Sequence, residues 1–179
     1  MFNYIHNSKI KTNWLIQEYS EDPILYNGRK FHLKVMVLLV KDRLELKVYK
    51  YMRSFMNIAS RKYDPERLNQ LSHLTGDINN AEELKIYPED FTSYFGNQYI
   101  QVINEQIKQI IQATTDSVAM YLKSPNEYIN NHKSYKLIEY DILIDKFNKC
   151  NLAGINTKLL KFKFVSEDFK RKFYYDVLD

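Results

Sequence analysis

Residues 35–40 form the longest unbroken apolar run of the chain, and with Phe31 and Leu33 they make 31–40 a stretch in which nearly every position is hydrophobic. A short, Leu/Val-rich run of this kind predicts a strand buried on both faces. Directly after it, residues 44–51 alternate, with Leu44, Leu46 and Val48 set against Glu45, Lys47 and Tyr49. That period of two predicts a strand with one wet face, and Lys41, Asp42 and Arg43 read as the hairpin turn between the two. Residues 14–19 mix apolar and polar positions and are read as a further strand, as are 136–144, 151–156 and 159–165. From 98 to 122 the spacing changes. Ile100, Ile103, Ile107, Ile110, Ile111, Val118 and Leu122 recur at helical intervals, predicting one long helix whose apolar stripe covers a face of the 31–40 strand. Ser166, followed by Glu167 and Asp168, is a good N-terminal cap for a last helix. The expected class is α+β, a mostly antiparallel sheet packed by helices. With 4 Gly, 4 Pro, no repeat and no low-complexity tract, residues 1–179 are read as one domain without a linker.

Composition narrows the function classes. The net charge of +4 is mildly basic, which admits acidic partners without requiring them. Nucleic-acid binding through the 15 Tyr and 10 Phe is set aside, because they fall mostly inside strands and helices with no stacking-platform motif. The one cysteine, Cys150, has no partner for an internal disulfide or a zinc site and fits a reducing, cytoplasmic setting. The N-terminus lacks a signal pattern, and no apolar run is long enough for a bilayer, so no membrane partner is expected.

The chemistry is concentrated where two strands meet. Asp141 opens the apolar run 142–144, Asp145 ends it, and after a polar turn the run 152–156 ends in Asn156. Antiparallel strands joined this closely lay their ends side by side, so Asp141 and Asn156 can face a common point. This resembles the D-φ-φ-φ-D and E-φ-N pattern with which ATP-grasp ligases hold Mg²⁺ on ATP, except that Gly154 stands where the pattern has glutamate. Upstream, WLIQEY at 14–19, Asp22 to Leu25, and GRKFHLKVMVL at 28–38 resemble the W-φ-φ-Q-x-Y, P-L-L and G-R-K-F-D-φ-R elements of the tubulin-tyrosine-ligase family. Val48 to Tyr51, Ala59 with Ser60, Tyr63, and His73-Leu74-Thr75 are similar to later elements in the same order, while 81–131 matches only in helical character.

The resemblance implies an ATP-grasp-like fold, of which this chain would be the C-terminal portion. It also implies an ATP-dependent ligase joining an amino acid to tubulin or another acidic protein tail, with ATP and Mg²⁺ as cofactors. Carried over residue by residue, Gln17, Glu18, Tyr19 and Lys30 would meet the nucleotide; Arg29, Lys34, His73 and Thr75 the substrates; and Asp141 and Asn156 the metal. His32 and Lys34 replace the family's Asp and Arg, and Lys lacks the bidentate fork of Arg. With only 13 residues ahead of the Trp14 strand and no glycine-rich loop, the nucleotide lobe is expected to be missing. The expectation is therefore an impaired ligase in the cytoplasm, at the cytoskeleton or a cilium, marginally stable unless it dimerises or a partner chain supplies that lobe. A non-catalytic module that binds acidic tails or microtubules through Arg29, Lys30 and Lys34 is the alternative.

Overall fold

A computed structural model describes residues 16–42, 45–67, 69–75, 84–122 and 133–157, together with Arg171 and Tyr175. Its elements in chain order are β1 (Leu25–Tyr26), β2 (Arg29–Asp42), β3 (Glu45–Lys50), β4 (Ser54–Ile58), α1 (Gln70–His73), β5 (Leu84–Tyr87), α2 (Glu89–Phe95), α3 (Ile100–Leu122), β6 (Ser134–Ile144) and β7 (Cys150–Asn156), with a short 3₁₀ turn at Asn97–Tyr99 before α3. The strands form one sheet in the order β5-β4-β2-β6-β7; β1 and β3 also pair with β2, and every pairing is antiparallel. The expected α+β class holds.

Strand β2 is the spine because it pairs with β1, β3, β4 and β6, and because residues 35–40 are apolar on both faces. Phe31, Leu33, Val35 and Val37 pack with Ile138, Tyr140, Ile142 and Ile144 of β6 beneath Ile103, Ile107 and Ile111 of α3 and Phe91 of α2. This is the period of two on the strands meeting the period of 3.6 on the helix. Gln106 of α3 ties the β6–β7 turn to the helix, donating through Nε2 to the Asn148 carbonyl at 2.8 Å and accepting from the Cys150 N–H at 2.9 Å. Asp145 shapes the same turn, its Oδ1 accepting from the N–H groups of Phe147 (2.9 Å) and Lys149 (3.0 Å), with Asn148 at a positive φ of 60°. Asp145 is thus a turn residue. Met36 and Phe55, on the sheet face away from α3, are 1% and 2% exposed.

Four expectations change. The expected strand at 14–19 is not a strand over its described part: residues 16–20 carry no ladder bonds, and Ile16 is 73% exposed. A mixed apolar-polar segment has no buried face to fix a register. Val118 is exposed, because the buried stripe of α3 ends at Ile111 and Thr115, and Thr114 spends its hydroxyl on Tyr140 at 2.9 Å. The stretch read as purely helical contains β5, paired with β4. β4 itself is an added strand whose residues are buried on both faces and give no alternation. The expected strand at 159–165 and the cap at Ser166 lie outside the described residues.

Candidate functional site

Alternation sorts the sheet's polar residues onto the face that α3 does not cover. Lys30, His32 and Lys34 are even-numbered on β2, whereas Phe31, Leu33 and Val35 enter the helix-side core. On β6, Glu139 and Asp141 have the opposite parity to the core residues Ile138, Tyr140 and Ile142. Register then lines them up. Lys34 pairs across with Asp141, and Asp141 with Gly154; one row along, Met36 pairs with Glu139, and Glu139 with Asn156.

The side chains meet as this lattice requires. Lys34 Nζ donates to Glu139 Oε1 and, at 3.1 Å, to Asp141 Oδ1. Asn156 Nδ2 donates to Asp141 Oδ2 at 3.0 Å and to Glu139 Oε1 at 3.3 Å. His32 Nε2 lies 3.4 Å from Asp141 Oδ1, while its Nδ1 contacts the Thr75 hydroxyl. Burial works against the charge of Lys34, but the hydrogen bond to Glu139 and the charges of Asp141 and Glu139 outweigh it and hold the ammonium above the ordinary lysine range. Burial lifts the Glu139 carboxyl above the usual carboxylate range, a rise that Lys34 does not cancel. At Asp141 burial pushes the same way, yet His32 and Lys34 prevail and keep it low.

Beside this cluster lies a cleft of about 730 Å³ whose lining includes Gln17, Glu18, Tyr19, Lys30, His73 and Asp141. The strap at 16–20 is pinned over the sheet by polar contacts. Nε2 of His73 lies 3.0 Å from the Asp64 carbonyl and 2.8 Å from that of Arg67, so it carries the proton. Nδ1 is then an acceptor, and the Tyr19 hydroxyl donates to it at 2.6 Å. Lys30 is only 3% exposed; its Nζ sits 4.0 Å from the Tyr19 ring centroid and 5.9 Å from that of Tyr63, and donates to the Ser20 carbonyl at 3.3 Å. Burial pushes this lysine down to about 8.

The structure therefore gathers Gln17, Glu18, Tyr19, Lys30, His73, Thr75 and Asp141 along one cleft, and joins Lys34 and Asn156 to it through Asp141. It does not bring Arg29 there, because Arg29 shares its parity with Phe31 on the helix side of β2. Arg29, Lys30 and Lys34 do not form one basic groove: Lys30 is buried and Lys34 is engaged by internal acids. Glu139 escaped the sequence reading, although its position two residues before Asp141 on a strand already placed it on the same face.

The residues present do not fit a divalent cation. Gly154 offers no ligand, the oxygens of Asp141 already accept from Lys34 and Asn156, and among the described residues no three His, Cys, Asp or Glu converge as a metal group. The cleft is no better suited to a triphosphate, since its lining sets one lysine against the carboxylates of Glu18 and Asp141. Covalent chemistry at Cys150 is also disfavoured, because burial in the core, with a smaller contribution from Asp145, pushes its thiol up to about 12. Among the described residues, no helix is long and apolar enough to cross a membrane.

Comparison with known proteins agrees with the motifs. The chain is 28% identical over 166 residues to tubulin glycylase 3C of Tetrahymena thermophila, covering 85% of this chain and 15% of that protein. It is 26% identical over 168 residues to a probable alpha-tubulin polyglutamylase, Ttll1, of the same organism (86% of this chain, 39% of the relative), and 25% identical over 173 residues to a probable tubulin polyglutamylase, TTLL9, of Bos taurus (89% and 36%). The chain thus spans well under half the length of these relatives. A sequence model of the tubulin-tyrosine ligase family matches residues 2–158, most of the chain: the chain belongs to the tubulin-tyrosine ligase family.

Proposed function

We propose that this chain is a ligase-fold domain that engages tubulin or another acidic protein tail and is impaired in the ATP- and Mg²⁺-dependent peptide-bond chemistry of its family. The relatives' names support the partner, and a tubulin partner would place the protein at the cytoskeleton or in a cilium. The observation that carries the impairment is the pairing of Asp141 with Gly154. A β-carbon built at Gly154 would lie 3.8 Å from Asp141 Oδ2, so a glutamate there would set a second carboxylate beside the first; glycine leaves that place without charge. Phosphoryl transfer depends almost wholly on positioning and electrostatic stabilisation, and a metal ion supplies several kcal/mol of the latter. At about 1.4 kcal/mol per tenfold in rate, losing it lowers turnover by on the order of 10²–10⁴-fold.

The same geometry favours the reading as a binding module. With Lys30 buried and Lys34 bound internally, the exposed Arg61 and Lys62, next to the Tyr63 ring that packs on His73, are the cations offered to an acidic tail at this end of the cleft. Incubating the chain with microtubules, Mg·ATP and labelled glycine or glutamate tests both halves. The expected result is co-pelleting that weakens with salt and with removal of the tubulin tails, without label transfer. Label transfer would refute the impairment, and equal pelleting on tail-less microtubules would refute the acidic-tail partner.

A further inference from the structure

Glu139 is the least accommodated charged group on the cleft face. Its residue is 2% exposed, Oε1 accepts from Lys34 and Asn156, and Oε2 is buried without a hydrogen bond. A carboxylate in that position is tolerable only against a cation. It stands on β6 one row along from Gly154, on the same face, opposite Asn156. Its Oε1 thus meets Lys34 and Asn156 one row along from the place where a glutamate at 154 would start. The cation facing it is Lys34, whose ammonium is shared with Asp141 at 3.1 Å and whose side chain is only 13% exposed. A divalent ion would need the same oxygens, and it would need Asn156 to present Oδ1 where its Nδ2 now donates.

Resting on the reading that nucleotide chemistry is impaired, we propose that Lys34 is the resident cation of this site: Glu139 supplies the carboxylate that position 154 lacks, and the Lys34 ammonium occupies the place where the fold would hold a divalent metal. The site is then satisfied without metal, and removing the ammonium uncovers a latent cation site made of Glu139, Asp141 and Asn156.

Mn²⁺ binding to the full chain, followed by the paramagnetic resonance of the free ion, tests this. The wild-type chain is expected to leave the free-ion signal unchanged up to about 1 mM, and Lys34→Met to bind Mn²⁺ at least ~10-fold more tightly. Adding Glu139→Gln to Lys34→Met is expected to abolish the gain. Sub-millimolar binding by the wild type, or a folded Lys34→Met variant with no gain, would overturn the proposal. A second measurement does not depend on the variant folding. In the ¹⁵N-lysine side-chain spectrum of the wild type, the ammonium signal of Lys34, identified by its loss in Lys34→Arg, is expected to persist when Mg²⁺ is added. Its displacement by Mg²⁺ would overturn the proposal as well, whereas Mg·ATP binding that leaves this signal in place would count against the proposed function and leave the resident cation standing.

Discussion

Exchange of Lys34 for methionine is expected to lower the unfolding free energy by about 3–5 kcal/mol, the usual result of removing one partner from a buried ion pair. The reason is asymmetric. The pair itself is worth little net, since both charges leave water to form it, but Glu139 without Lys34 is a buried carboxylate whose Oε2 already lacks a partner. Protonation offers Glu139 an escape. Its carboxyl is already raised by burial, so the folded chain takes up a proton at a higher pH than the unfolded chain does. Stability of the variant should therefore recover as pH falls, and the deficit should be largest near neutrality. Replacing both Lys34 and Glu139 by methionine, beside the buried Met36, is expected to restore most of the loss. Urea unfolding at several pH values separates the cases; a single-variant loss below about 1 kcal/mol would indicate that the Lys34 to Glu139 contact is not desolvated.

Lys30 is expected to behave in the opposite way. Two effects compete at its ammonium. Desolvation lowers the pKa from 10.5 to about 8, which at about 1.36 kcal/mol per unit amounts to about 3 kcal/mol against the charged form at neutral pH. The Tyr19 ring at 4.0 Å offsets about 1–2 kcal/mol of this in the wild type, and methionine, which keeps the packing, forfeits that cation–π attraction. Desolvation wins, and Lys30→Met should be more stable than the wild type by about 1–2 kcal/mol at pH 7. The pH dependence has a definite sign. Because the folded-state value lies below the unfolded one, the unfolded chain binds more protons between about pH 8 and 10.5, and the Lys30 contribution makes the wild type gain stability as pH rises through that window. The variant should lack the gain. Thermal unfolding of both proteins from neutral to alkaline pH reads it, and parallel curves would show that the Lys30 ammonium is hydrated.

Why some of this was legible in the sequence follows from the same parity rules. The apolar run of β2, the alternation of β3 and the helical spacing of α3 each carry their own register, because a buried face leaves only one phase that works. Asp141 and Asn156 were legible only as motif positions: the turn alone would set Asp141 opposite Ala153, and a register shift between Asp141 and Ile142, which no local pattern announces, brings Asp141 opposite Gly154 and Asn156 onto the same face. β4 was not, since Phe55 and Met56 are buried on opposite faces and leave no period to count. The strap at 16–20 is held by the Tyr19 hydroxyl on His73, 54 residues away, and by Lys30 on the Ser20 carbonyl, ten residues away, side-chain contacts that no local pattern announces. The resemblance assigns Lys34 to the substrates because it stands at the family's Arg position; the acid that captures it, Glu139, lies 105 residues further along the chain, and only strand pairing reveals the match.

The claim that the nucleotide and metal end of this ligase fold has been closed off is tested most directly by calorimetry of Mg·ATP with the wild-type chain. The expected result is binding no tighter than about 1 mM, with the same weak isotherm whether or not Mg²⁺ is present. Micromolar binding that requires Mg²⁺ would contradict it, since that result needs the oxygens of Asp141 that the structure assigns to Lys34 and Asn156.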